Sequence, residues 1–227
     1  MYKLIAFDAY GTLFDVYSVG QLAEALFPGH GQALVLMWRE RQIEYTRLVT
    51  LSDPSPSGGK YYLSFWELTL RSLRYACKRM NLDLTSDSEN RLMNQYAKLT
   101  AFDDGEMVLK TIKARGLATA ILSNGDKEML GKVVEGSGLQ PYLDKLVTIE
   151  EVRLFKTAPQ TYELLLKAFA VQKQEILFVS SNAWDALAAK WYGFDVFWVN
   201  RLGHPFEEIG DQPDYQGASL SEVLKAL

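Results

Sequence analysis

Short aliphatic runs alternate with longer amphipathic stretches along most of this chain, and the alternation is interrupted once. The runs are Tyr2–Phe7 (YKLIAF), Ala118–Leu122 (ATAIL), Leu146–Ile149 (LVTI), Ile176–Ser180 (ILFVS) and Asp195–Val199 (DVFWV). Each is bounded by turn or polar residues and has the length of a buried strand rather than a helix. Helical spacing of apolar residues covers Asp104–Arg115, Lys127–Gly136, Pro159–Ala170 and Ala183–Tyr192 between them. Strands alternating with helices predict a parallel sheet covered on both faces.

The interruption lies between the first and second runs, where Ser18 to Leu99 holds no good strand pattern. Four helices are predicted instead: Ser18–Phe27, Gln32–Leu51, Leu63–Asn81 and Ser86–Leu99. The expectation is an α/β fold with a Rossmann-like doubly wound parallel sheet. Residues 1–17 and 100–227 would form the core domain, and residues 18–99 an inserted four-helix cap. In open α/β sheets ligands lie at the carboxyl ends of the strands, and a cap placed there excludes water and shapes the pocket. The stretch SDPSPSGGK, Ser52 to Lys60, reads as a loop. Its GGK follows a helix and lacks the spacing of a phosphate-binding loop.

Composition narrows the partners. Over 227 residues the chain is 48% apolar and 23% charged, enough apolar material for the core of an ordinary globular protein. The formal net charge of −4 gives no basic excess to attract nucleic acid or an anionic membrane. Cys77 is the single cysteine, so no internal disulfide forms. With only His30 and His204 beside it, there is no zinc or copper set, and no cofactor is expected. The start, MYKLIAFDAYGT, has no cleavable signal pattern. A cytoplasmic location is the expectation.

Polar residues cluster just after the strands. Asp8 ends the first run and opens DAYGTLF, where Gly11 permits a sharp turn and Thr12 can orient the carboxylate. An isolated aspartate there would simply cap a turn; three further clusters change that reading. Ser123 and Asn124 follow ATAIL and either hold a substrate carboxylate or oxyanion or cap the next helix. Lys156, in RLFKTAPQTY, follows the LVTI strand. At that edge it would stand among Asp8 and Asp185 and keep the nucleophile ionised, although most lysines are merely solvated. Ser180, Ser181, Asn182 and Asp185 form SSNAWD, opening a helix where Asp185 either pairs with Lys156 or serves as a favourable first-turn acid. Four polar clusters at one sheet edge exceed what capping needs.

The pattern DAYGTLF, then SNG, a downstream lysine and SSNAWD resembles the haloacid dehalogenase superfamily over nearly the whole chain, cap included. Two positions bear on the branch. Phosphatases of the superfamily usually carry a second aspartate two residues after the nucleophile to protonate the leaving alcohol. Tyr10 stands there, and a free phenol titrates near ~10. Their Mg²⁺ site draws on carboxylates, whereas the last motif here begins Ser180, Ser181, Asn182 with Asp185 as its only acid. Halide leaves as a stable anion and needs no acid. The cap segment MWRERQIEY, with Arg39 beside Trp38, looks like the part of L-2-haloacid dehalogenases in which an arginine accepts the departing halide. Phe65 and Trp184 resemble pocket-lining aromatics of that group, or are ordinary core aromatics.

The resemblance implies that Asp8 attacks C2 of a short L-2-haloalkanoate with inversion, giving an aspartyl ester and then a D-2-hydroxy acid. Arg39 and Asn124 would take the halide. Ser123, with backbone amides around Ala9, Tyr10 and Asn124, would hold the substrate carboxylate. Asn182 and Asp185 would position or activate water, while Thr12, Lys156, Tyr162 and Ser180 maintain geometry and charge. Relatives are commonly homodimers, so a homodimer is implied. Ala9 stands where relatives often have a larger aliphatic, and the DPSPSGG loop looks longer than theirs, with a possible displacement of Phe65. Two other readings stay open: a phosphatase acting on a small phosphate ester, and a non-catalytic binding protein on the same fold.

Overall fold

The protein is described by a computed structural model over residues 1–55 and 58–227. Strands β1 (Leu4–Phe7), β2 (Ala118–Ser123), β3 (Lys145–Thr148), β4 (Ile176–Ser180), β5 (Asp195–Val199) and β6 (Tyr215–Gly217) form one sheet in the order β3-β2-β1-β4-β5-β6. Every neighbouring pair is parallel. This is the expected doubly wound α/β sheet. The chain runs outward from β1 to β3, then returns to β4 on the other side of β1. The carboxyl ends of β1 and β4 therefore flank the point where strand order reverses, where such sheets bind ligands.

Alternate residues of β1 face different cores, as a two-residue strand period requires. Ile5 and Phe7 pack in the cluster with Val108, Leu109, Ile112 and Val133, whereas Leu4 and Ala6 pack with Leu164, Leu165, Phe178 and Ala186. Both faces being covered explains why β1 reads as a continuous apolar run. The sixth strand escaped the sequence reading because it is three residues long and largely exposed at the sheet edge.

Between β1 and β2 lie α1 (Gly20–Leu26), α2 (Gly31–Leu51), α3 (Phe65–Arg79) and α4 (Ser86–Tyr96), in place of the four predicted helices. The buried positions of α3, Phe65, Leu68, Thr69, Ser72, Leu73, Ala76 and Cys77, follow helical spacing. Its first turn is capped by Ser64, whose side chain accepts from the Glu67 amide. The remaining helices are α5 (Gly105–Ala114), α6 (Lys127–Ser137), α7 (Pro159–Phe169) and α8 (Ala183–Tyr192). The described part of the Ser52–Lys60 loop is irregular, as expected. It is gathered by Asp53, whose carboxylate accepts from the amides of Ser55 at 2.9 Å and Lys60 at 2.7 Å. Pro56 and Ser57 of that loop lie outside the described residues. Among the described residues no helix is long and apolar enough to cross a membrane.

Candidate active site

The β1 register sets the position of the first acid. Phe7 pairs with Ile121 on one side and Val179 on the other, so Asp8 emerges level with the last residues of β2 and β4. Its amide still donates to the Val179 carbonyl at 2.9 Å, which fixes the backbone at the strand end. Gly11 turns the chain with φ +97°, a conformation that disfavours any side chain. That turn brings Thr12 back over Asp8. The Ser181 amide donates to Thr12 Oγ1 at 2.8 Å, and Thr12 Oγ1 donates to Asp8 Oδ2 at 2.9 Å.

Asp8 is 5% exposed and its two oxygens are treated differently. Oδ2 accepts from Thr12 and from Asn182 Nδ2 at 2.8 Å. Oδ1 accepts from Lys156 Nζ at 2.9 Å. Lys156 Nζ also donates to Asp185 Oδ2 at 2.9 Å, so one buried ammonium joins two carboxylates. Burial alone would lower the Lys156 pKa, but Asp185 and Asp8 outweigh it and hold the pKa above the usual lysine value. Burial pushes the Asp185 carboxyl above the usual range, Lys156 pulls it part of the way back, and Asp8 adds to the rise.

Asp185 is fully enclosed. Tyr162 Oη donates to its Oδ1 at 2.7 Å and Ser180 Oγ to its Oδ2 at 3.1 Å. Burial and the adjacent Asp185 raise the Tyr162 phenol well above its ordinary pKa, so it remains a donor. Ser180 Oγ in turn accepts from the Asn182 amide at 3.2 Å, tying the SSNAWD turn to the acid it carries.

Ser123 and Asn124 each use a side-chain oxygen as an acceptor of a backbone amide. Ser123 Oγ accepts from the Gly125 amide at 2.9 Å, and Asn124 Oδ1 accepts from the Lys156 amide at 2.9 Å. Neither caps the following helix; Asp126 does, accepting from the Met129 amide. Its other oxygen accepts from the Trp66 amide at 3.2 Å, linking α6 to the start of α3.

From the helical insertion, Arg39 on α2 reaches the same place. Its Nη2 donates to the Tyr10 carbonyl at 3.1 Å and lies 3.5 Å from Asn182 Oδ1, and its Nη1 donates to Gln42 Oε1 at 2.7 Å. Asn182 Nδ2 donates to the same Tyr10 carbonyl at 3.0 Å. The Tyr10 ring lies between Phe65, at a centroid distance of 5.4 Å, and Tyr96, at 6.1 Å. Its hydroxyl is buried with no hydrogen-bond partner among the described residues, and burial raises its pKa well above the ordinary phenol value. Phe65 is buried and packed on Tyr10, not displaced by the preceding loop. Trp184 lies further out, under the Arg47 guanidinium, on an open cavity of about 700 Å³ that Arg39 and Asn182 also line. Ala9 is buried in the core cluster below.

The sequence reading missed Arg201, two residues past the end of β5. Its Nη1 donates to Ser181 Oγ at 2.5 Å and to the Gly11 carbonyl at 3.3 Å, and its Nη2 donates to the Thr12 carbonyl at 2.9 Å. The guanidinium stacks 3.7 Å from the Phe102 ring centroid. It clamps the Asp8 turn to the SSNAWD turn. The signal is the same as for the other clusters, a charged residue just past a strand.

Among the described residues no three histidine, cysteine, aspartate or glutamate side chains converge to hold a metal ion. The arrangement offers a carboxylate held by three hydrogen-bond donors, a second buried acid linked to it through Lys156, and a guanidinium beside the Tyr10 carbonyl.

Comparison with known proteins places this geometry. The haloacid dehalogenase-like hydrolase family matches residues 2–193. The (S)-2-haloacid dehalogenase of Pseudomonas sp. (strain YL) is 40% identical over 98% of this chain and 93% of that protein. The crystal structure of an L-2-haloacid dehalogenase superposes with a TM-score of 0.96 at 48% identity, covering 99% of this chain and 98% of that one. The L-2-haloacid dehalogenase of Xanthobacter autotrophicus, solved with chloropropionic acid covalently bound, superposes with a TM-score of 0.91 at 31% identity over 99% of this chain and 98% of that one.

Proposed function

This chain belongs to the haloacid dehalogenase-like hydrolases, and from that premise we propose that it is an (S)-2-haloacid dehalogenase, hydrolysing the carbon–halogen bond of short L-2-haloalkanoic acids. The reading is supported by relatives of that activity along the full length of the chain. The observation that carries it in this molecule is the set of donors on Asp8. A lysine, a threonine and an asparagine amide hold the carboxylate, and Arg39 stands across from it on α2.

The proposed chemistry follows from these contacts. A carboxylate oxygen has two lone-pair directions. Oδ2 uses both on Thr12 and Asn182, and Oδ1 uses one on Lys156. Oδ1 therefore keeps a lone pair for in-line attack on C2. The C2–O bond forms, the carbon–halogen bond breaks, and halide leaves with the electron pair as C2 inverts. Arg39 and the Asn124 amide stabilise the departing halide, since charge develops there in the transition state. Ser123 Oγ–H, with backbone amides around Ala9, Tyr10 and Asn124, binds the substrate carboxylate. The unpartnered Tyr10 hydroxyl and the faces of Phe65 and Trp184 bound the alkyl group.

Water then adds to Cγ of the Asp8 ester. Asn182 positions it, and Asp185, with its raised pKa, receives its proton while Lys156, Tyr162 and Ser180 hold that acid in place. As the adduct collapses the ester C–O bond breaks, the departing alkoxide takes the proton held by Asp185 and the remaining hydroxyl proton passes to solvent, which releases a D-2-hydroxy acid and regenerates the Asp8 carboxylate. Residues 18–99 act as the cap that excludes bulk water, residues 1–17 and 100–227 as the core, and the working form is a cytoplasmic homodimer.

The direct test is halide release from L-2-chloropropionate with and without a divalent-metal chelator. Stoichiometric chloride and D-lactate, unaffected by chelator, are expected. Release of inorganic phosphate from small phosphate esters with no chloride from the haloacid would contradict the reading.

A further inference from the structure

Arg39 is only partly buried, and none of the described carboxylates is within ion-pair distance of it. It also lines the open cavity, so something must keep its long side chain over the site rather than in solvent. Its Nη2 is held by the Tyr10 carbonyl at 3.1 Å, and its Nη1 by Gln42, a fully buried residue one turn along α2.

The orientation of the Gln42 amide is decided by Thr69 on α3. Thr69 Oγ1 donates its only proton to the Phe65 carbonyl at 2.7 Å, one turn back in its own helix. Toward Gln42 it can therefore only accept, and Gln42 Nε2 donates to it at 2.5 Å. That choice leaves Gln42 Oε1 facing the other way, where it accepts from Arg39 Nη1 at 2.7 Å and from Tyr96 Oη at 3.1 Å. A flipped amide would set an NH₂ against the guanidinium, donor against donor, in a buried setting where unmade hydrogen bonds are costly.

We infer that Thr69 is a positioning residue for halide departure: by fixing which end of the Gln42 amide meets Arg39, it keeps the guanidinium over the leaving group. The inference rests on the proposed dehalogenase reading and adds a residue that touches neither substrate nor reacting atoms. Chloride is the poorer leaving group and the stronger hydrogen-bond acceptor, so its departure depends more on Arg39 than bromide's does. Loss of the Thr69 hydroxyl therefore has a leaving-group signature.

The test compares kcat/KM for 2-chloropropionate and 2-bromopropionate in the full chain, for wild type, Thr69→Val and Thr69→Ser. Valine keeps the volume and removes the hydroxyl; serine keeps the hydroxyl. Thr69→Val is expected to lose about tenfold on the chloro acid and about threefold on the bromo acid, while Thr69→Ser stays within about twofold of wild type on both. If Thr69→Val does not fold, Gln42→Leu removes the same anchor and carries the same expected change in the chloro-to-bromo ratio. An equal loss on both substrates overturns the inference while leaving the dehalogenase reading intact. A wild-type protein that releases no halide from either acid overturns both.

Discussion

The side-chain amide of Asn182 donates to Asp8 Oδ2 at 2.8 Å. A neutral donor thus rests on this carboxylate, and among its direct partners Lys156 alone carries a charge to balance it. Asn182 also donates to the Tyr10 carbonyl, which Arg39 shares. One amide so links Asp8 and Arg39, the proposed nucleophile and the proposed halide acceptor.

Asp8→Asn should leave the fold intact, because an amide fits the same space, and should abolish halide release. The amide is a poor nucleophile and loses its charge-assisted contact with Lys156. A fall of kcat by about a thousandfold or more, with a normal circular dichroism spectrum, is the expected pair of results.

Arg201→Met should lower both stability and turnover. It removes the charged donor serving the Gly11 and Thr12 carbonyls and Ser181 Oγ, a loss of about 1–3 kcal/mol in denaturant unfolding. With the Thr12 turn loosened, kcat should fall more than KM changes, because the alignment of Asp8 is disturbed and not the substrate pocket. Unchanged kcat in a destabilised variant would show that the clamp is only structural.

Gly125→Ala should narrow the substrate range. An added Cβ would stand 2.8 Å from Tyr10 Cε2 and 3.2 Å from Ser123 Oγ, and Tyr10 cannot retreat easily between Phe65 and Tyr96. Overpacking of this kind costs about 1–3 kcal/mol. The expected readout is a rise in KM, larger for 2-chlorobutyrate than for chloroacetate.

The pH dependence should be one-sided. In the proposed hydrolysis Asp185 must be ionised to take the proton of the attacking water. Its raised pKa makes it regain its own proton at a higher pH than an ordinary aspartate. Hydrolysis of the ester should therefore fail, as pH decreases, above the usual value of ~3.9. Lys156 has a raised pKa, so its charge, and the stability it contributes, persist through the ordinary lysine value of ~10.4 and are lost only as pH rises beyond it. A pH profile of single-turnover ester hydrolysis checks the first statement, and alkaline unfolding checks the second.

The central strands were legible because both their faces are buried, which turns them into runs of apolar residues such as Ile176–Ser180 that no surface helix would carry. The four strand-end clusters were legible for the same reason: polar groups stand out beside such runs. Strand β6 was not, since three exposed residues leave no apolar signal. Nor was the network behind Arg39. Gln42, Thr69 and Tyr96 occupy three different helices, and an uncharged polar residue on a buried helix face looks in sequence like a mild defect in amphipathicity until packing supplies its partner. Arg201 was hidden differently, as a single charged residue past β5 without the run of small polar residues that marks the other strand ends.

The ester at Asp8 is the centre of this account, and isotope placement tests it most directly. One turnover of L-2-chloropropionate by excess enzyme in H₂¹⁸O, followed by mass spectrometry of the peptide holding Asp8 and of the lactate, separates the routes. The account predicts ¹⁸O in the Asp8 carboxylate and an unlabelled hydroxyl in the product. Label in the lactate hydroxyl after that single turnover, with Asp8 unlabelled, would mean that water attacks C2 itself and would contradict it.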